Sequence, residues 1–187
     1  LTRELAATGE DSVSVVCFGD QRLDTPSLNV HGVEVPFASA PADPRHARLL
    51  DTLAQDLAMV GGLGDVDVVH GHTWYSHFAG CLAKHLKGVP LLLTTHSLEP
   101  HRPWKVEQLG TAYNVTVWIE RTAYQNADGV VAVSRAMKED VQTLYGVSPD
   151  KVRVIHNGID PDEYRPKQDL ATLERLGVDP EMPIVLF

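Results

Sequence analysis

Leu91-Leu92-Leu93-Thr94-Thr95-His96-Ser97 opens as an apolar, then β-branched run and turns polar at a histidine. Five residues of this kind, closed upstream by Val89-Pro90, suit a strand covered by helices on both faces, as in a parallel sheet. The segment before it carries Phe78, Leu82, His85 and Leu86 at helical spacing and stops at Gly88. The alternation continues in both directions. Further strands are expected at 12–18, 33–37, 66–69, 130–133 and 152–155. Leu49, Leu50, Leu53, Leu57 and Val60 mark a helix that ends at Gly61-Gly62, and residues 106–126 read as one long helix. Ser134 is the expected N-cap of another, ending near Tyr145-Gly146. Strands alternating with helices predict an α/β domain with a mainly parallel, doubly wound sheet. Residues 1–7 read as the last turns of a helix stopped near Gly9, and 183–187 as the opening of a strand, so both ends read as cut from a longer chain.

The chain has 187 residues, enough for one full α/β domain with its own core. At 43% hydrophobic and 22% charged residues it has the composition of a globular protein rather than a disordered or coiled-coil one. Its formal net charge of -9 argues against broad nucleic-acid binding, which needs clustered positive charge. No apolar run approaches the roughly 18 residues of a membrane span, and no signal-peptide core opens the chain. Cys17 and Cys81 sit apart in apolar stretches, so both read as reduced core thiols. A cytoplasmic protein, compatible with a homo-oligomer, is expected.

Parallel sheets bind ligands at the carboxyl ends of their strands. Here those ends are polar: His70-Gly71-His72-Thr73-Trp74, then His96-Ser97-Leu98-Glu99, then Ser134-Arg135, then His156-Asn157-Gly158. Strand alternation puts His70 and His72 on one side of the sheet. That pair could begin a metal site, with His96 and His156 offered as further ligands, but no zinc signature accompanies it. The plainer reading makes His70 a hydrogen-bonded core histidine and turns His72 toward a ligand. His101, Arg102 and Lys105 outnumber Glu99 and make the loop after His96 locally basic, which suits an anion or a solvated surface. Trp74, Tyr75 and Trp104 could offer flat faces to sugar rings or serve as core. Asp160-Pro161-Asp162-Glu163-Tyr164-Arg165-Pro166 reads as a linker, which divides the chain into residues 1–158 and 159–187.

Taken in order, Asp67-Val68-Val69-His70-Gly71-His72-Thr73-Trp74-Tyr75-Ser76, Thr94-Thr95-His96-Ser97-Leu98-Glu99-Pro100-His101-Arg102-Pro103-Trp104-Lys105, Glu120-Arg121-Thr122-Ala123, Ala127-Asp128-Gly129-Val130-Val131-Ala132-Val133-Ser134 and Val154-Ile155-His156-Asn157-Gly158-Ile159-Asp160 resemble retaining glycosyltransferase family 4. Within it they are closest to the actinobacterial-type glycogen synthases. The resemblance spans about residues 66–166. It implies two Rossmann-like halves facing each other across a cleft, with this chain as the acceptor-side half. Residues 159–187 would then be linker and the start of the donor domain; the family's first strand and glycine-rich loop would precede Leu1, and its donor-binding residues would follow Phe187.

By position, the family's active-site histidine falls on His96. Its implied work is to hold the transferred sugar and, through its backbone carbonyl, to favour the cationic anomeric centre, as fixed dipoles do. His72, Thr73 and Trp74 match the acceptor-side strand end. Ser97 would add a hydroxyl contact, Arg102 and Lys105 would hold an acceptor phosphate, and Asn157 with Gly158 would border the donor pocket. The implied donor is a nucleotide sugar, ADP-glucose or a relative, and the acceptor an α-1,4-glucan end or glucose 1-phosphate. No metal or other cofactor is implied, since Arg, Lys and helix N-termini neutralise the leaving phosphate in such enzymes. Two further readings stay open: a metal-dependent hydrolase built on His70 and His72, and a non-catalytic sugar-binding fragment.

Overall fold

The computed structural model describes residues 1–37, 40–166, 169–183 and 185. The chain divides into two compact units, Leu1–His156 and Asn157–Phe187. The first unit runs α1 (Thr2–Thr8), β1 (Val13–Phe18), β2 (Arg22–Asp24), β3 (Leu28–Val33), α2 (Ala47–Gly61), β4 (Val69–His72), α3 (Trp74–Lys87), β5 (Leu91–Thr95), α4 (Lys105–Leu109), α5 (Ala112–Asn126), β6 (Gly129–Ala132), α6 (Arg135–Tyr145) and β7 (Val152–Val154). The second unit contains α7 (Leu170–Arg175). The expected strand at 183–187 falls largely on residues outside the described set.

The α/β class holds, but the strands form two sheets rather than one. β4-β5-β6-β7 is fully parallel, and a smaller sheet orders its strands β1-β3-β2, with β1 parallel and β2 antiparallel to β3. β2 escaped the sequence reading because Arg22, Leu23 and Asp24 are all exposed and show no apolar face. The third strand lies at 28–33, not 33–37. Leu28, Val30 and Gly32 alternate with exposed Asn29 and His31, whereas Pro36 has no N–H to give a ladder. Gly32 is required there, since a Cβ would stand 2.2 Å from the Gly19 carbonyl oxygen. β4 is likewise displaced from 66–69, because its ladder pairs Val69 with Leu91 and His72 with Thr94. Both histidines therefore belong to the strand.

The long helix expected at 106–126 is two, α4 and α5. Gly110 between them has φ 55° and ψ −137°, a conformation that L side chains avoid. Other local signals match: Gly9, Gly88 and Gly146 end their helices, and the Ser134 hydroxyl caps α6 by accepting the Met137 N–H at 3.1 Å.

The core follows from β5. Leu91 and Leu93 are wholly buried and pack with Ala123, Tyr124, Val130, Ala132, Val141 and Val152. Each such leucine contributes about 1.5 to 3 kcal/mol by leaving water. At the strand's entry the Asp128 carboxylate accepts the Leu91 N–H at 2.8 Å and the Lys84 ammonium at 2.7 Å, tying α3 to the sheet. The strand ends beyond this core are left free for chemistry. Among the described residues no helix is long and apolar enough to cross a membrane.

Candidate functional site

The carboxyl ends of β4 and β5 bring three imidazoles into a row. His70 and His72 point to one side of β4 with ring centroids 4.4 Å apart, and His72 stacks on His96 at 5.7 Å. His72 Nδ1 lies 3.4 Å from His96 Nε2. His70, read from sequence as a core histidine, is solvent-exposed instead. β4 lies at the edge of its sheet, and the inward side of the ring is partly covered and bonds Thr94 Oγ1 at 2.7 Å. The fully buried histidine is His77 on α3, against the Tyr124 ring. Burial, then the neighbouring His70 and His96, push His72 down to about 4; burial and then His96 lower His70 as well. Both rings are thus neutral near pH 7, each offering one N–H donor and one lone pair.

Ser76 fixes the turn that carries His72. Its hydroxyl accepts the His72 N–H at 3.1 Å and donates to the His72 carbonyl at 2.8 Å. Between them Thr73 adopts φ 65°, the sole positive φ outside glycine among the described residues. Such a conformation costs on the order of 1 to 3 kcal/mol in a β-branched residue and persists where its surroundings over-determine it. Trp74 then starts α3 and is buried among Leu49, Ala112 and Ile119, so its ring is core rather than a sugar platform. Trp104, 60% exposed, keeps an open face.

His96 is exposed immediately beyond β5, and Ser97 beside it is half-buried. The basic loop is less free than its composition suggests. Lys105 Nζ bonds the buried Glu99 carboxylate at 2.6 Å and lies 5.9 Å over the Trp74 ring, so its charge is already engaged. His101 faces Asp140 at 3.9 Å. Arg102, half-buried, makes no ion pair among the described residues and is the loop's available cation. At the next strand ends, Ser134 is occupied as the α6 cap, and His156 Nδ1 donates to the Val133 carbonyl at 3.0 Å. Asn157 and Gly158 are exposed and open the second unit.

Sequence reading passed over the helix behind this site. Tyr113, Thr116 and Glu120 of α5 all bond Glu99. Their three- and four-residue spacing on a buried face was the available signal. Burial raises Glu120 to about 7, although bonds from Tyr145 and the Glu99 N–H favour its charged form. Among the described residues no group of three or more His, Cys, Asp or Glu is placed to hold a metal ion, so the hydrolase reading of His70 and His72 finds no third ligand.

Residues 1–163 match the model of Glycosyltransferase Family 4. The chain belongs to this family. The family 4 chain is similar to the α-maltose-1-phosphate synthase of Mycolicibacterium smegmatis, at 51% identity over 142 residues, covering 74% of this chain and 37% of that protein. It is also similar to that of Mycobacterium tuberculosis, at 44% over 172 residues, covering 86% and 44%. The chain thus spans less than half the length of these curated relatives. Among solved structures, the sucrose-phosphate synthase of Thermosynechococcus elongatus superposes with a TM-score of 0.64 at 18% identity, over 97% of this chain and 47% of that one. Anabaena HepE in complex with UDP-glucose gives 0.54 at 15% identity, over 88% and 50%. At these identities the family 4 chain shares their fold.

Proposed function

We propose that this chain is the acceptor-side half of a retaining glucosyltransferase that moves glucose from ADP-glucose, or a related nucleotide sugar, to the 4-hydroxyl of glucose 1-phosphate. The observation that carries the reading is 51% identity to a protein named for making α-maltose 1-phosphate. In this transfer the bond from C1 of glucose to the diphosphate breaks, and a bond from C1 to the acceptor oxygen forms on the same face. The acceptor's proton leaves with the nucleoside diphosphate. His96, exposed at the end of β5, supplies the backbone carbonyl beside the cationic anomeric carbon, while its ring, with His72, binds sugar hydroxyls. Thr73 and Ser97 line the acceptor side, Arg102 faces the acceptor phosphate, and Asn157 and Gly158 border the donor. Elongation of an α-1,4-glucan is the second reading, favoured by the exposed face of Trp104.

The test is an assay of the full-length protein with ADP-glucose or UDP-glucose and glucose 1-phosphate, the product's anomeric configuration being read by NMR. An α-linked maltose 1-phosphate is expected. His96→Ala should leave the melting temperature within a few degrees and remove most transfer. Growth of glycogen chains without disaccharide phosphate would replace the first reading by the second, and unchanged activity in His96→Ala would remove His96 from the site.

A further inference from the structure

Beneath the His96 loop lies a buried polar cluster with no task in the reaction so far. Glu99 and Glu120 are each 1% exposed, and buried carboxylates are costly unless every oxygen is held. The four polar groups of Glu99 are all engaged. Its N–H donates to Glu120 Oε2 at 2.7 Å, and its carbonyl accepts the Tyr113 hydroxyl at 2.8 Å. Its carboxylate accepts Lys105 at 2.6 Å through one oxygen and the Thr116 hydroxyl at 3.0 Å through the other. Three of these four side-chain partners stand on α5, and a fifth partner, the Arg102 N–H, reaches the Glu99 carbonyl at 2.8 Å. Glu120 Oε2 is itself braced by the Tyr145 hydroxyl from α6.

The loop leaves little slack above this grip. Thr95 ends β5 inside the sheet, and only His96, Ser97 and Leu98 separate it from Glu99, with Leu98 buried as well. A chain gains at most about 3.6 Å per residue, so two fixed ends this near in sequence confine what lies between them. We propose that Glu120, aided by Tyr113 and Thr116, is a positioning residue that sets the place of His96 by gripping the backbone of Glu99. The proposal rests on the reading of His96 as the residue beside the transferred sugar. A purely stabilising role would lower folding stability in Glu120→Leu, which leaves the Glu99 N–H and the Tyr145 hydroxyl buried and unpaired, without a change confined to the loop. Glu120→Leu would leave the Lys105 to Glu99 pair in place and release the Glu99 N–H on the loop and the Tyr145 hydroxyl on α6.

Two readouts on the full-length protein separate this proposal from the reaction it serves. The first needs no substrate: amide hydrogen exchange by NMR or mass spectrometry. In Glu120→Leu, exchange at residues 97–99 should accelerate tenfold or more while residues 91–95 of β5 keep their protection. The second is kinetic. Glucosyl transfer should lose at least tenfold in kcat with the donor KM within about threefold, and Glu120→Gln, which keeps a carbonyl acceptor in place, should recover both readouts to within about threefold. Unchanged exchange at 97–99, or a kcat no better in the glutamine variant than in the leucine variant, overturns the proposal. If Glu120→Leu does not fold, Tyr113→Phe carries the test. Losing one of the two donors to the Glu99 carbonyl, with the Arg102 N–H left as the other, should speed exchange at 97–99 and lower kcat about threefold; no change in either overturns it. If the variants show the exchange pattern while the wild-type protein transfers no sugar, the reaction is refuted and the grip on the loop stands.

Discussion

Arg102, in the loop before α4, and Lys105, at the start of α4, lie three positions apart and meet opposite fates. Because Lys105 neutralises a carboxylate that is 1% exposed, Lys105→Met strands a buried charge and should destabilise the fold by about 3 to 5 kcal/mol, seen in denaturant melts. Arg102→Ala should leave stability nearly unchanged and raise the KM for glucose 1-phosphate roughly tenfold, the equivalent of about 1.4 kcal/mol, without affecting glycogen as acceptor. Equal losses on both acceptors would exclude a phosphate contact. Asp56 offers a test by pH. Neither carboxylate oxygen has a hydrogen-bond partner among the described residues, and burial raises the group to about 8. A carboxyl raised in the folded state binds its proton more tightly there than in the unfolded chain, so its contribution is full near pH 4 and is lost as pH rises toward 8. Asp56→Asn should therefore gain stability over wild type across that window, by on the order of 1 kcal/mol or more at pH 8, in paired thermal melts. His72 and His77 shift the other way, but they are common to both proteins and cancel in the difference. At this scale the sequence displays what is local. Ser134 as a cap and the common side of His70 and His72 follow from neighbours along the chain. The exposure of His70 and the pairing of Lys105 depend on what packs over the strand ends and which glutamate is buried, and neither is written within a few residues of them.

Among the elements, α5 has the most to do. One stretch of it covers the core with Ile119, Ala123 and Tyr124, while Tyr113, Thr116 and Glu120 face the loop after β5. Its separation from α4 depends on Gly110. An alanine there must adopt φ 55° and would press a Cβ to 2.7 Å from the Arg45 guanidinium carbon, so Gly110→Ala should destabilise the protein by at least about 1 kcal/mol. A neutral result would mean that the helix simply runs on, as its apolar periodicity suggests. Strand positions were legible where apolar runs were unbroken by polar side chains, at β5 and β6. They slipped at β3 and β4, which carry histidine, asparagine and glycine among their residues, so that only the ladder with a neighbour fixes the ends.

At the scale of the first unit, the alternation of strands and helices was enough to give the α/β class, yet not the division into two sheets, because strand order is a long-range property. The candidate site lies wholly at the ends of the four-stranded sheet. Among the described residues no backbone ladder joins that sheet to β1-β3-β2; the link is side-chain packing, with Val33, Met59 and Ala79 at its centre and the Phe18 ring edge-on to Tyr75 at 6.4 Å. In this chain, whose two sheets share no ladder among the described residues, the smaller sheet is expected to open as a cooperative unit of its own. In native-state exchange under rising denaturant, the amides of β1 and β3 should lose protection together and first, at a lower free energy than those of β5 and β6. The half of the fold that carries the histidine row would then stay closed while the other breathes.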